Sequence, residues 1–216
     1  MPARRTAGSA PTARQLSEEA IVQAALRLAR RVGAENISMR SIAAELGVSP
    51  MAIYYHVPNK GALLDLVVDA VLSQVPMPVP DPTRWQEQLK ASSLAAFRLL
   101  ARYPDLSRVM LLRGDTKAGR AIVRYCITIL LAAGFEERRA ALAITAYNTY
   151  MYGVYAGLNA RDRAKPQRRK KAAHSNGAAS PTGIGAVVAE LRALELDDAI
   201  DFGIDAMLTG IASRSR

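Results

Sequence analysis

The chain has 216 residues, half of them hydrophobic, with a formal net charge of +10 and a single cysteine, Cys126. This length suffices for a sizeable core in one or two domains, but no apolar run reaches the ~18 residues of a membrane span, and we expect no signal peptide. A lone cysteine excludes an intramolecular disulfide and suits the cytoplasm, and the basic charge favours nucleic acid over a membrane surface as a partner.

The N-terminal part combines an unpatterned segment with a first amphipathic helix. Residues 1–16 are rich in Ala, Arg, Pro and Thr and lack periodicity, which predicts a disordered basic arm. Ser17 is a suitable N-cap, and apolar residues then recur at spacings of three and four as far as Val32. We expect this helix to be the scaffold on which the next two elements pack.

Two short helices joined by a tight turn are predicted within Ser38–Lys60. The first covers about residues 39–46, and Gly47 can take the left-handed conformation that ends a helix. Ser49 is then a good N-cap, and Pro50 suits the first position of a second helix. This arrangement is a helix-turn-helix, whose second helix would enter a DNA major groove.

The second helix of this pair, which we expect to run to about His56, has an unusual surface. Ile53 can point inward with Val48, and the remaining side chains keep substantial exposed area. Those residues are Met51, Ala52, Tyr54, Tyr55 and His56. Polar-tipped rings of this kind reach phosphates or base edges. The alternative is a surface pair of helices whose tyrosines pack against the rest of the domain.

A fourth helix and a proline-rich link follow. Asn59 is a suitable N-cap for a helix that continues to about Gln74, and Gly61 in its first turn is unexpected because glycine weakens a helix. Residues 76–82 contain four prolines and cannot be helical. We therefore predict a DNA-binding domain with its connecting helix over 17–75, a link over 76–82, and a second domain over 83–216.

The second domain is predicted to be helical throughout, so the fold class is all-α. Gly134 and Asp197 are expected to end one helix and to cap the last one. The predicted helices lie near 83–102, 105–112, 117–133, 136–160, 184–195 and 197–213. The segment 161–183 is strongly basic and predicts a flexible loop, which serves solubility or, alternatively, contacts nucleic acid or an anionic effector.

The residues from Ser17 to Asp65 resemble the TetR (tetracycline repressor) family of transcriptional regulators. The resemblance extends in order and spacing over roughly fifty positions and is closest to the tetracycline-repressor branch. The residues that carry it include Ser38-Met39-Arg40, Leu46-Gly47-Val48, Ile53-Tyr54-Tyr55-His56-Val57, Asn59-Lys60 and Leu63-Leu64-Asp65. The resemblance implies an N-terminal helix-turn-helix domain, a C-terminal helical ligand-binding and dimerisation domain, and a phosphate contact by Lys60.

The DNA-contacting residues predicted from the motif and this resemblance divide into two roles. Base readout is expected from the second helix of the motif, with a further contact from Arg40, and phosphate contacts are expected around it. The complete predicted set is Ser38, Met39, Arg40, Ser49, Pro50, Met51, Ala52, Tyr54, Tyr55, His56 and Lys60.

Aromatic and polar side chains in the second domain predict a pocket for a small apolar or amphipathic effector. The alternative is that these rings fill an ordinary core. The predicted effector-binding residues are Trp85, Phe97, Tyr103, Met110, Tyr125, Tyr147, Asn148, Met151 and Tyr155. The histidine-rich set that holds drug and magnesium in tetracycline repressors is missing, so we predict neither tetracycline nor a metal, and no cofactor.

The last helix is apolar over a wide face, and a helix-turn-helix domain reads about half of a palindromic site, so we predict a homodimer. The alternative is a self-contained core helix. The predicted dimerisation residues are Tyr152, Ile200, Ile204, Met207, Leu208 and Ile211.

These features lead to the hypothesis of a one-component, cytoplasmic transcriptional repressor that leaves its operator when an effector binds. The sequence contains no metalloprotease, nucleophile-elbow, CxxC or phosphate-loop motif, so we expect no catalytic residues. Two alternatives remain open. One is an activator or a regulator that needs a co-repressor, and the other is a helical ligand-binding protein or enzyme with a vestigial DNA-binding domain.

Overall fold

The computed structural model describes residues 16–113, 115–171 and 183–213, without the side chains of residues 158–171, Arg192 and Leu196. Every regular element in these ranges is helical, which confirms the predicted fold class. The helices are α1 (Glu18–Val32), α2 (Met39–Leu46), α3 (Pro50–Tyr54), α4 (Lys60–Leu72), α5 (Trp85–Leu100), α6 (Leu106–Arg113), α7 (Lys117–Ala132), α8 (Glu137–Lys171), α9 (Ile184–Ala193) and α10 (Leu196–Ala212).

The chain divides into two compact units. The first unit contains the residues up to Val75 together with Ala96–Ala121, and the second contains Pro76–Ala95 and the residues from Ile122 onward. Residues 96–121, which the predicted boundary assigns to the second domain, therefore belong to the first unit. No helix in the described ranges is both long and apolar enough to cross a membrane.

Polar side chains cap the first four helices at their N-termini. The predicted caps Ser17, Ser49 and Asn59 are confirmed, because their side chains accept hydrogen bonds from the backbone nitrogens of Ala20, Ala52 and Ala62 at 3.1, 3.2 and 2.9 Å. A fourth cap, Ser38, forms a reciprocal capping box with Ser41. These bonds satisfy backbone donors that a helix start leaves without partners.

The ends of α2 and α3 fix the angle at which α3 leaves the turn. Gly47 ends α2 in the left-handed region with φ 67°, as predicted. Helix α3 ends at Tyr54, slightly before the predicted end, because His56 N–H bonds to the carbonyl of Ile53 and tightens the last turn. Ile53 and Val57 are fully buried beneath α3.

The second unit packs parts of α5 and α7 with α8 and α10. Leu89 of α5, Ile129 of α7 and Ile204 of α10 are almost completely buried. The ring of Trp85 meets that of Phe135 edge-on, with centroids 5.2 Å apart. Gly134 ends α7 with φ 85°, as predicted.

Two predictions for this unit are wrong. Helix α8 continues to Lys171, so residues 161–171 are not a loop. Arg, Lys, Gln and Ala are good helix formers, and a helix that already exists can extend through them without a new nucleation step. The extension also contains Pro166, a residue that disfavours a helix interior. The rest of the predicted loop, 172–182, lies outside the described residues, as do residues 1–15 of the predicted arm. Asp197 lies in the first turn of α10, and Glu195 occupies the N-cap position.

Candidate nucleic-acid interface and ligand site

The solvent face of α3 carries large side chains that are not buried. Met51, Tyr54 and Tyr55 are 63, 45 and 84% exposed. Ile53, which lies between them in sequence, is completely buried and fixes the orientation of the helix. Exposed large apolar surface is informative when several such residues adjoin, and here it forms one face with His56.

Most of the other predicted DNA-contacting residues surround this face in sequence and are exposed. Ser38, Arg40, Ser49, Pro50 and Lys60 are all open to solvent, and Ala52 is half-buried. Arg40 has no ion pair or hydrogen bond among the described residues, so its guanidinium is available.

Met39 needs a correction as a predicted contact. Its side chain is only 6% exposed and belongs to the core beneath α2, together with Ile42. Met39 is the first residue of α2 after the N-cap and lies on the buried face of that helix. Its side chain therefore does not face a ligand on the surface.

A single carboxylate pairs with two arginines of α1. Arg27 and Arg31 each lie 3.1 Å from Glu45 of α2. The hydrogen bond from Arg27 lowers the pKa of the Glu45 carboxyl, and the charge of Arg31 adds to the effect. These two arginines therefore hold α1 against α2, whereas Arg40 does not.

The start of α4 is tied to α6 within the first unit. Two guanidinium nitrogens of Arg113 bond the Asp65 carboxylate, the Nη2–Oδ2 distance being 2.7 Å. A Cβ at Gly61 would lie 2.9 Å from the Arg113 guanidinium, so the absence of a side chain there lets Arg113 approach α4. The guanidinium is the end of a flexible side chain, so this close approach favours glycine at position 61 without requiring it.

The second unit contains a cluster of buried hydroxyl groups. The Tyr147 hydroxyl donates to Ser93 Oγ at 2.7 Å, and Ser92, Tyr125 and Tyr155 are also buried. Burial raises the pKa of Tyr125, Tyr147 and Tyr155, so all three phenols stay neutral. The buried Tyr125 hydroxyl has no hydrogen bond of good geometry among the described residues. The Ser92 side chain nevertheless interacts with it and partly offsets the rise in pKa that burial causes. We call these five residues the hydroxyl cluster.

The nine predicted effector-binding residues are divided between the two units. Phe97, Tyr103 and Met110 belong to the first, where the Tyr103 hydroxyl accepts a hydrogen bond from Arg30 at 2.9 Å. The other six belong to the second unit; these are Trp85, Tyr125, Tyr147, Asn148, Met151 and Tyr155. Tyr125, Tyr147, Met151 and Tyr155 are buried, while Trp85 and Asn148 are half-buried.

An open groove of about 1000 Å³ lies between α8 and α10. The residues that line it are Phe135, Arg139, Leu142, Ala143, Ala146, Tyr150, Gly203, Ala206, Met207, Gly210 and Ile211. Tyr150 crosses Gly203 so closely that a Cβ there would overlap its hydroxyl, and that hydroxyl bonds the Ile200 carbonyl at 3.4 Å.

The predicted dimerisation residues fall into two groups. Ile200, Ile204 and Leu208 are at most 2% exposed within one chain, so the prediction that they meet a partner is corrected. They are core residues because α10 turns this face toward its own unit. Tyr152 is exposed, and Met207 and Ile211 line the groove.

Sequence reasoning missed the groove. Its lining is mostly of residues with small or ordinary apolar side chains, and such residues have no pattern that separates a groove from a packed helix face. The only available signal was the set of small residues at spacings of three and four on α10: Gly203, Ala206 and Gly210. No group of three His, Cys, Asp or Glu in the described ranges could hold a metal ion.

Two family models match the chain. One, described as bacterial regulatory proteins of the tetR family, matches residues 21–67. The other, described as the tetracyclin repressor-like C-terminal domain, matches residues 77–215. Together they cover both the helix-turn-helix segment and most of the residues after it.

Similar proteins include repressors and a ligand complex. The class G tetracycline repressor protein of Vibrio anguillarum is 27% identical over 91% of this chain and 93% of its own length. The transcriptional repressor DrrR1 of Streptomyces coeruleorubidus is 39% identical over 49% of this chain and 38% of its own. The structure of ActR of Streptomyces coelicolor in complex with actinorhodin superposes with a TM-score of 0.75 and 25% identity, covering 93% of this chain and 97% of that one.

Proposed function

We propose that this chain, which belongs to the tetR family of bacterial regulatory proteins, is a one-component transcriptional repressor. In this proposal it binds a palindromic operator as a homodimer, and a small apolar or amphipathic effector releases it. The observation that carries the proposal is the exposed face of α3, where Met51, Tyr54 and Tyr55 adjoin while Ile53 is buried. Operator binding also requires the protein to be in the cytoplasm.

Base readout is assigned to α3 and phosphate contact to its surroundings. Met51, Tyr54 and Tyr55 face solvent, with the half-buried Ala52 beside them, on a helix of a size that fits a major groove. Their contacts would discriminate between sequences, and Arg40, free of an acidic partner, adds a further base or phosphate contact.

Phosphate contacts are assigned to Ser38, Ser49, His56 and Lys60. All four are exposed, and two of them cap helix N-termini. Helix N-termini favour anions because their N–H groups point outward. Replacing Lys60 should therefore weaken binding to all DNA sequences alike.

The faces of α8 and α10 that remain exposed support the homodimer. One exposed stripe on each helix consists of uncharged residues that repeat at spacings of three and four, as helix-packing faces do. Other exposed positions on the same helices are charged, among them Arg139, Asp201 and Asp205. The uncharged residues are Leu142, Thr145, Ala146, Thr149, Tyr152, Gly153 and Ala156 on α8, and Phe202, Ala206, Thr209 and Gly210 on α10. We assign the dimer interface to these residues, with Met207 and Ile211 at its edge.

The effector is assigned to the second unit. The hydroxyl cluster offers neutral hydrogen-bonding groups among apolar neighbours, and the Tyr125 hydroxyl has no well-formed hydrogen bond to give up when a ligand accepts from it. Trp85, Asn148 and Met151 are the other proposed contacts. The complex of ActR with actinorhodin makes actinorhodin the first compound to test.

The experiment is selection of binding sites from random duplex DNA at near-physiological salt, with the mass of the resulting complex measured. We expect one palindrome, with half-sites about one helical turn apart or a multiple of that, bound by two chains. Compounds are then screened for release of this duplex, and a shift of ~1–3 kcal/mol would change affinity about 5- to 150-fold. Recovery of no enriched sequence would contradict the proposal, and tighter binding with ligand would reverse the sign of regulation.

A further inference from the structure

The short turn between α1 and α2 is fixed by the residues that begin α6. This turn, Ala34–Asn36, is a single turn of 3-10 helix that the sequence analysis did not predict. The Ala34 N–H donates to the carbonyl of Pro104 at 2.9 Å. The Glu35 carboxylate lies 2.6 Å from Nη1 of Arg108 in α6. Backbone and side chain thus attach the turn to the same neighbouring segment.

The opposite side of the same turn holds Lys60. The Lys60 ammonium donates a hydrogen bond to the backbone carbonyl of Glu35. Lys60 is the first residue of α4, directly after the Asn59 cap, and its side chain is exposed. An ammonium has three donors, so this bond leaves two of them for another acceptor.

We infer that Glu35 and Arg108 are positioning residues for the phosphate contact of Lys60. The ion pair fixes the turn, and the carbonyl of Glu35 then orients the Lys60 ammonium before DNA arrives. A lysine side chain is flexible and loses rotamer freedom when it binds, so a side chain that is already oriented binds a phosphate more tightly. This inference rests on the proposed function, because it requires that Lys60 meets DNA.

If the Glu35–Arg108 ion pair only stabilised the fold, its loss would lower the folding stability. Arg108 and Glu35 are 38 and 33% exposed, and ion pairs of this exposure contribute little to folding stability. Loss of the pair should therefore leave the unfolding midpoint nearly unchanged. A change in DNA affinity at unchanged stability is the result that a positioning role predicts.

The test is a double-mutant cycle with Arg108→Gln and Lys60→Ala, read out by the affinity for a mixed-sequence DNA duplex at several salt concentrations. Phosphate contacts do not depend on sequence, so this probe serves even without the operator. We expect Lys60→Ala to lower the salt slope by about one and Arg108→Gln to weaken binding about 3- to 10-fold. The double variant should bind like Lys60→Ala alone, since Arg108 acts through Lys60.

Two further variants control for charge. Arg120→Gln removes a comparable ion pair of the same unit, with Asp115 at 2.7 Å, and should leave DNA binding unchanged apart from the general effect of one positive charge. Arg108→Lys keeps the charge and should restore most of the affinity that Arg108→Gln loses.

Each outcome bears on one claim. Equal affinity of Arg108→Gln and the wild type, or losses for Arg108→Gln and Lys60→Ala that multiply independently, would overturn the positioning role while leaving the phosphate contact intact. If Lys60→Ala itself kept full affinity and the full salt slope, the phosphate contact would be overturned and the positioning role with it.

Discussion

The core formed by α1–α4 and the core of the second unit differ in chemistry. From α1 to α4 every buried side chain is apolar, with Ile21, Ile42, Ile53 and Leu63 completely inaccessible. The core of the second unit contains the hydroxyl cluster, including one phenol without a well-formed hydrogen bond. A dry, closely packed core supports a rigid recognition surface. In a core with neutral polar groups, not every hydrogen-bonding group has a well-formed partner. Such a core can replace internal hydrogen bonds by hydrogen bonds to a ligand.

The largest expected effect tests the apolar core of α1–α4. Ile53→Ala removes a completely buried side chain that orients α3, and it should reduce the free energy of unfolding by about 2–5 kcal/mol. Urea unfolding followed by circular dichroism measures this loss. Tyr55→Ala, two residues away and 84% exposed in the parent, is the matched control and should leave stability almost unchanged. Equal losses for both variants would contradict the burial pattern.

A pH dependence should distinguish the second core from the first. Burial raises the pKa of the Cys126 thiol from 9.0 to about 11, so the folded state keeps a proton that the unfolded state loses sooner. The stabilisation is complete below pH 9 and is lost as pH rises through 11, a change of about 2–3 kcal/mol. Tyr147 and Tyr155, whose pKa values burial also raises, act in the same direction at higher pH.

The measurement is urea unfolding of the wild type and Cys126→Ala at pH values between about 8 and 11, spanning the two pKa values. The stability of the wild type relative to the variant should fall across this range. A difference that stays constant with pH would show that the thiol is not held neutral by burial. Unfolding of α1–α4, which contain no buried ionisable side chain, should contribute nothing to this difference.

A smaller effect concerns the crossing of α8 and α10. Gly203→Ala would force the Tyr150 ring away from α10, and we expect a destabilisation of about 1–3 kcal/mol. Gly157→Ala on α8, outside the proposed dimer interface, meets no atom within 4 Å and should instead stabilise by up to about 1 kcal/mol. Thermal or urea unfolding of the two variants gives the sign of each change in the free energy of unfolding. Two changes of the same sign would contradict the close contact between Tyr150 and Gly203.

The smallest effects separate two hydroxyls of the same cluster. Tyr147→Phe leaves Ser93 without its partner and should cost about 1 kcal/mol, or somewhat more if Ser93 stays unsatisfied. Tyr125→Phe removes a buried hydroxyl that has no hydrogen bond of good geometry, so it should cost less than Tyr147→Phe and be close to neutral. The unfolding midpoints of the two variants in urea measure this difference in stability. A larger loss for Tyr125→Phe would mean that its hydroxyl has a partner.

Local signals explain why the helix-turn-helix segment was predictable. Ser17, Ser49 and Asn59 act on backbone donors within three residues, so the sequence itself contains both the cap and its target. The turn at Gly47 is equally local. The exposure of Tyr54 and Tyr55 follows from the position of Ile53 on a short helix, and it was predicted for that reason.

Long-range contacts explain what the sequence did not reveal. Helix α10 is apolar on several sides, and the choice between Ile200 and Phe202 as the buried side depends on the helices that pack against it. The attachment of Arg113 to Asp65 spans 48 residues, and that of Arg108 to Glu35 spans 73. No periodicity predicts such pairs. Met39 was misassigned for a related reason, since its motif position says nothing of its burial.

The most direct test of the account is the ratio of affinities for the selected operator and for a scrambled duplex, measured at one salt concentration. We expect a ratio of at least about 10³ for the wild type, and a loss of about 1–3 kcal/mol of that discrimination in Tyr54→Ala or Tyr55→Ala. The unfolding midpoint of each variant should remain that of the wild type. A wild-type ratio near one would contradict sequence reading by α3 and reduce the DNA affinity to that of a basic surface.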